Sequence, residues 1–398
     1  MSSDQPGVSE PAAGNRIVRV TPTPLYVPCR LQIGTIDKPA KLSGLVVEIE
    51  TGDGLVGHGF TAITDEEIVA AAIRDVVAPN ILGLDALARE AIADRLNWLL
   101  TPRGQTGYAS HAISAIDLAL WDIAGRRLGQ PVWRLLGGAR RNVTTYTTFG
   151  FGALDREELA EAAAYLAKRG HKRLKMVVGH HALARRDEPR PLDAVITEDA
   201  ARVAAVREAV GNGVELFIDA NCSLDGYHAM RLARLVADHD VALFEEPLRD
   251  NDVRRLADFR RNAPMAVAAG QNEGQLFRYR DLLVADAVDI LQPNVCIGGG
   301  FTAGIRAAGL ASAFGVPIDN GGAFPFHNMH LHAGLANGGL VEWHLVAVSM
   351  CRSIFTGLPD RDGDILTLPD APGLGFELDR DAVREIGRQP TSAGRGKG

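Results

Sequence analysis

Four short apolar runs between residues 214 and 294 each end on a side chain that carries oxygen. VELFIDAN ends on Asp219 and Asn221, VALFEEP on Glu245 and Glu246, MAVAAGQNE on Gln271, and VDILQPN on Asn294. The ends at 219, 245, 271 and 294 lie 26, 26 and 23 residues apart. Each interval holds one strand, one loop and one amphipathic helix. That beat predicts successive parallel strands of a barrel, with the polar ends gathered at one mouth. Oxygen donors converging from separate strand ends suggest a site for a hard divalent cation.

The same patterning organises the rest of the chain. Residues from about 17 to 60 read as β-rich, in RIVRVTPTPLYVP and LSGLVVEIETGDGLVGHGF, with TGDG as a hairpin turn. CRLQIGTIDKPAK between them reads as a loop. Three helical stretches follow: TDEEIVAAAIRDVVAPNIL, with a Thr/Asp cap, DALAREAIADRLNWLL, and SHAISAIDLALWDIAGRRLG, with a glycine stop. NVTTYTTFGFG starts the barrel alternation, a helix from about 155 to 169 follows, and HKRLKMVVG is the second strand. HHALARRDEPRPLDAV is a polar insertion of the kind that sets specificity at a barrel mouth. Helices near 197–210 and 302–314, a seventh strand in GVPIDNGG and an eighth in GGLVEWHLV complete the pattern. The expected architecture is α/β, a modified TIM barrel of (β/α)7β type with an N-terminal α+β capping domain. The expected divisions are a disordered tail over 1–16, the cap over 17–138, the barrel over 139–365, and a C-terminal segment over 366–398 that packs on the cap before a flexible tail.

Composition narrows the function. With 46% hydrophobic and 23% charged residues over 398 positions, the chain is globular rather than disordered. A net charge of −7 without a long basic run gives no footprint for nucleic acid. No apolar run reaches the ~20 residues that span a bilayer, so no membrane partner is expected. MSSDQPGVSEPAAGN has neither the basic nor the apolar region of a signal peptide. Cys29, Cys222, Cys296 and Cys351 are scattered, as expected of reduced thiols in a cytoplasmic protein.

At this point a set of motifs in order resembles the enolase superfamily, within it the mandelate racemase/muconate lactonizing subgroup, over about residues 17–385. AISAIDLALWDIAGRRLGQPVWRLLGG is similar to that family's helix closing the cap. GHKRLKMVVG resembles its second-strand motif, and DAN, FEEP and AAGQNE its three metal-ligand strands. LQPN with GGGFTAGIRAAGLASAFGVP resembles its sixth unit, and PGLGFELD its end.

The resemblance implies a Mg2+ ion that holds a substrate carboxylate, a base that removes the α-proton, and stabilisation of the enediolate. A carbon acid beside a carboxylate is so weak that fixed positive charge must neutralise what develops on its oxygens. It implies Asp219, Glu245 and Gln271 as metal ligands, Gln271 standing where the family carries Glu. The alternatives are that Glu273 serves instead or that the site stays empty. Glu246 would accept hydrogen bonds nearby. Lys175 matches the first lysine of the family's K-x-K, and Val177 stands at the second. A shifted register over Arg173–Lys175 would make Lys175 the usual base. Residues i and i+2 share a strand face, so Lys175 is the inward lysine in either register. A nearby cation and burial would lower its pKa from ~10.4 toward useful basicity. The family's His–Asp dyad is replaced by Gly321 and Asn294, which disfavours two-base racemisation. His327 could substitute for the histidine, while His330 and His332 read as structural. Glu342 matches the eighth-strand glutamate that donates to the enediolate, and His344 shares its face. Asn221, Tyr146, Thr148, Asn294 and Arg30, with Lys38, are the substrate-facing candidates.

Three readings follow. The first is a Mg2+-dependent lyase, a dehydratase of a sugar acid or other hydroxy carboxylate. The second is a one-base epimerase or isomerase of a carboxylate. The third is a degenerate barrel that binds a ligand without turning it over. The resemblance implies a homo-oligomer, from dimer to octamer.

Overall fold

The computed structural model describes residues 11–100, 107–179 and 189–387. The expected N-terminal tail falls outside these over 1–10, the specificity insertion over 180–188, and the C-terminal tail over 388–398.

The cap begins with three antiparallel strands in the order β1 (Ile17–Ile33), β2 (Ile36–Thr51) and β3 (Val56–Ala62). The stretch expected to be a loop, CRLQIGTIDKPAK, is instead the hairpin between β1 and β2, with Ile33 paired to Ile36. Pro22, Pro24 and Pro28 are tolerated in β1 because it is an edge strand, where a missing N–H costs no ladder bond. Helix α1 (Glu66–Ala72) runs through a π turn at Ile73–Val77, and α2 (Arg89–Leu100) and α3 (Tyr108–Leu128) follow. Gly129, left-handed with φ 63°, ends α3 and donates to Arg126 O.

Helix α3 is the hinge of the architecture. It lies directly on β3, because a Cβ at Gly59 would come within 1.8 Å of Ala115 O. The polar residues of its DLALWD stretch tie the two domains together. Asp117 accepts from Thr302 N at 3.0 Å and from Thr302 Oγ1 at 2.5 Å, and Trp121 Nε1 donates to the same hydroxyl. Asp122, fully buried, accepts from His58 N and Leu374 N and pairs with Arg126. The C-terminal segment thereby packs on the cap, with Trp133 Nε1 donating to Pro369 O at 2.9 Å.

The barrel strands are β4 (Asn142–Gly150), β5 (Arg173–Val177), β6 (Glu215–Asp219), β7 (Val241–Glu245), β8 (Ala266–Ala269), β9 (Ile290–Leu291) and β10 (Val341–His344). They pair parallel in sequence from β4 to β9, and β10 returns to β4. The expected seventh strand is reduced to bridges of Ile318 with Leu291 and Gly338, which close the ring. Between the strands lie α4 (Arg156–Lys168), α5 (Leu192–Val210), α6 (Gly226–Leu235), α7 (Val253–Asn262), α8 (Leu276–Val284), α9 (Gly300–Ala313) and α10 (Pro325–Gly334). Helix α4 starts on a capping box, in which Asp155 accepts from Glu158 N and Glu158 reaches back to Asp155 N. Helix α11 (Leu345–Ile354) follows β10 directly. Tyr146, Phe217, Leu243 and Ala268 fill the interior below the mouth, so the barrel is a packed core with one open end.

Candidate active site

The strand register brings the oxygen-bearing ends together. Val177 pairs with Asp219 and Asp219 with Glu245 across adjacent strands. One layer lower, Lys175 pairs with Phe217, and its Nζ stands 5.3 Å from the centre of the Tyr146 ring. The backbone at the mouth is unusual. Asn221, Cys222, Glu246, Ala323 and Phe324 all take left-handed conformations, with φ between 42° and 71°. Non-glycine residues held there cluster at functional sites.

Lys175 is the centre of the constellation. Its ammonium is 1% exposed and lies 2.7 Å from Glu245 Oε1, 3.0 Å from Glu342 Oε1 and 3.1 Å from Asp219 Oδ2. Burial alone would drive it toward the neutral amine. Glu245 and Glu342 outweigh burial and hold its pKa well above the ordinary lysine value. In this arrangement the carboxylates favour the ammonium, and the expected lowering depends on a cation held by the same carboxylates. Three carboxylates face one ammonium, so one of them is unfavourably placed. Burial, together with Asp219 and Glu342, pushes Glu245 well up. Glu342 is also pushed up by burial, but Lys175, His344, the Thr148 hydroxyl and Ala323 N–H outweigh this and hold it low.

Glu246 is the anchor of a neighbouring amide cluster. It accepts from Asn251 Nδ2, from Asn272 Nδ2 and from Gln271 Nε2, the last at 2.8 Å. The bond to Glu246 orients the Gln271 amide, and its Oε1 is left buried without a donor. Glu273, the alternative third ligand, is tied to Arg278 at 2.9 Å. Among the described residues no three His, Cys, Asp or Glu side chains form a metal-binding group. Asp219 and Glu245 nonetheless converge on one point, and the orphaned Gln271 oxygen is a third hard donor. An all-oxygen set of this kind fits a small hard cation.

A cavity of about 640 Å³ opens above this floor, walled by both domains. Lys175, Glu342, Asp219, Gln271 and Asn221 line it. Four sequence candidates lie elsewhere. His327 is fully buried on α10, stacked 13° from parallel on Phe60 and edge-on to Phe376, and does not line the cavity. Both its ring nitrogens lack partners, and burial holds it neutral, so it cannot replace the missing dyad. Tyr146 is also buried, its hydroxyl spent on Asn320 O at 2.6 Å. Asn294 donates to Gly321 O at 2.6 Å and accepts from Cys296 N, so it builds the loop rather than the wall. Arg30 points outward to Asp37, 2.7 Å away, and Lys38 from the same hairpin lines the cavity instead.

Two imidazoles stand on the wall. His344 Nδ1 accepts from Ala347 N at 3.1 Å. Its neutral form therefore carries its proton on Nε2, and the residue lines the cavity. His111, on the cap helix α3, was not foreseen from sequence. Its Nδ1 meets Thr61 Oγ1 at 2.6 Å, and burial lowers its pKa to about 4. Nothing in SHAIS marks that histidine, because only the docking of α3 over the mouth brings it to the site.

Comparison with known proteins agrees with this geometry. Residues 14–137 match the mandelate racemase/muconate lactonizing enzyme N-terminal domain, and residues 157–382 the enolase C-terminal domain-like family. The chain belongs to the mandelate racemase/muconate lactonizing enzyme family of the enolase superfamily. It is 30% identical over 359 residues to the arabinonate dehydratase of Saccharolobus solfataricus, covering 88% of this chain and 92% of the relative. It is 32% identical over 363 residues to the D-galactarolactone cycloisomerase of Agrobacterium fabrum, covering 86% and 90%. A solved racemase from Streptomyces coelicolor with bound magnesium superposes with a TM-score of 0.82 at 28% identity, over 93% of this chain and 99% of that one. Among the described residues no helix is long and apolar enough to cross a membrane.

Proposed function

We propose that this family member is a Mg2+-dependent lyase of a sugar acid, removing the proton α to the carboxylate and expelling the β-hydroxyl. The observation that carries the reading is the buried Lys175 ammonium among Asp219, Glu245 and Glu342 at the floor of a substrate-sized cavity. Asp219, Glu245 and Gln271 would hold the cation, which supplies fixed positive charge opposite the substrate carboxylate as the enediolate develops. With Asp219 and Glu245 committed to a cation, Lys175 keeps Glu342 alone. Burial then favours the neutral amine, the form that takes a proton at Nζ. Glu342, held by Thr148 and Ala323 N–H, fixes Lys175 from the opposite side. His344 offers its Nε2–H to the departing hydroxyl. The resemblance would place a second base at Gly321, and Gly322 and Ala323 beside it line the cavity with no basic side chain, which supports proton transfer from one face. The same one-face chemistry suits expulsion of a ring oxygen, as in cycloisomerisation, and this is the second reading.

The test is a sugar-acid library incubated with Mg2+ and read with semicarbazide for 2-keto acid. A lyase gives keto acid from at least one substrate, abolished by K175M. Exchange of the α-proton with deuterium and no keto acid would replace the lyase by an isomerase. Neither product nor exchange across the library would overturn both.

A further inference from the structure

The cation site is one charge short, because Gln271 stands where a glutamate is expected. No neighbouring carboxylate makes up the difference among the described residues. Glu273 is tied to Arg278 at 2.9 Å. Glu246 is spent on the amides of Asn251, Asn272 and Gln271. Glu342 is held by Thr148, Ala323 N–H and Lys175. Asp219 and Glu245 remain.

Both of these are shared. Asp219 accepts from Asn221 N at 2.8 Å through Oδ1 and meets Lys175 through Oδ2. Glu245 accepts from Gln292 Nε2 at 2.9 Å through Oε2 and meets Lys175 through Oε1. A cation therefore competes with a buried ammonium for both carboxylates. The third donor is neutral and fixed. Gln271 Nε2 donates to Glu246 at 2.8 Å, and its Oε1 is buried without a partner. A Cβ on Gly321 or Gly322 would come 2.8 or 2.9 Å from that oxygen, so the glycine pair leaves the amide its place. Mg2+ is more often held by one or two carboxylates completed by ligand oxygens and waters than by an all-protein cage. Two shared carboxylates and a neutral amide leave a bound cation attractive to one more anion, which a third carboxylate would repel.

We propose that Gln271 makes cation and substrate binding mutually dependent. The protein alone holds Mg2+ weakly, and the carboxylate of the incoming acid supplies the negative charge that Gln271 lacks. The coupling is reciprocal: the factor by which the acid tightens Mg2+ is the factor by which Mg2+ tightens the acid. This rests on Asp219, Glu245 and Gln271 being the cation site, as in the function proposed above.

The test is calorimetric titration of Mg2+ with and without glycolate or 2-hydroxyisobutyrate, the free cation being corrected for complexation by the acid. Neither acid has a β-hydroxyl to lose, so no dehydration intervenes. At least one of them is expected to tighten Mg2+ about tenfold or more. In Q271E, Mg2+ alone should bind about tenfold tighter, and the acid should tighten it less than threefold. Q271A, also neutral, should keep the coupling, which separates the charge from the amide, and a melting curve for each variant shows that it is folded. Mg2+ affinity unmoved by either acid overturns the inference, as does coupling of equal size in Q271E or coupling lost in Q271A. Coupled binding without keto acid from any sugar acid would keep the inference and overturn the lyase. Keto acid from a chain that binds Mg2+ equally well with and without acid would do the reverse. No Mg2+ binding under either condition overturns both.

Discussion

Replacing Lys175 with methionine removes the one cation from a cluster that holds three carboxylates within 3.1 Å of it. Methionine fills similar volume above the Tyr146 ring, so the loss is electrostatic rather than a cavity. Stripping one partner from a buried ion pair costs about 3–5 kcal/mol, because the remaining charges stay desolvated and unpaired. At roughly 2–4 °C per kcal/mol for a chain of some size, K175M should melt about 6–20 °C below the unmodified protein at pH 7.5 without metal. The pH dependence is the sharper readout. Without Lys175, burial and mutual repulsion raise the folded-state pKa values of Glu245 and Glu342 above their unfolded value of about 4.3. The folded state then binds more protons, so the variant should lose stability as pH rises from about 5 to 8. The unmodified protein should show a smaller loss, from Glu245 alone, because Lys175 helps hold Glu342 low and, with its own folded pKa raised, delivers its stabilisation fully until pH exceeds ~10.4. Added Mg2+ should restore more stability to the variant than to the parent. Melting curves in a pH series, with and without metal, read all three effects. A variant with the parent's midpoint and pH profile would refute the ion cluster.

Other outcomes follow from single contacts. Q271E puts a carboxylate where an orphaned oxygen stands, but it breaks the 2.8 Å bond to Glu246 and sets like charges together. It should melt lower without metal, by the equivalent of about 1–3 kcal/mol, yet bind Mg2+ about tenfold tighter by calorimetry. H327F should leave turnover within twofold and stability equal or higher, since neither imidazole nitrogen has a partner; a tenfold fall in kcat would restore His327 to the site. His111 has its folded pKa lowered to about 4, so its contribution to stability is lost as pH falls from ~6.5 through 4. H111Q should flatten that limb of an unfolding pH series by up to ~1.4 kcal/mol per pH unit, and an unchanged limb would mean the ring is charged when folded.

The barrel was legible because its information is periodic. Each apolar run with a polar end repeats one unit, and the register then places Val177, Asp219 and Glu245 side by side without further instruction. The hairpin was misread for want of parity. VPCRLQI alternates strictly between buried and exposed, which puts Cys29 and Leu31 inward and Arg30 outward. The seventh strand shrank to Ile318 because its neighbours, Asn320 to Gly322, are occupied by loop bonds to Leu340 and Asn294. Lys175 was legible as the inward lysine, but the three carboxylates that converge on it were not, because they come from three other strands. His111 was invisible because nothing local marks it; the docking of the cap brings it to the mouth.

The measurement closest to the central claim is calorimetric titration of Mg2+ into metal-stripped protein beside the Asp219→Ala variant. The account predicts saturable binding by the unmodified chain, with near-unit stoichiometry, lost in D219A. Absence of binding by the unmodified chain at millimolar Mg2+ would contradict it, and with it the proposed lyase.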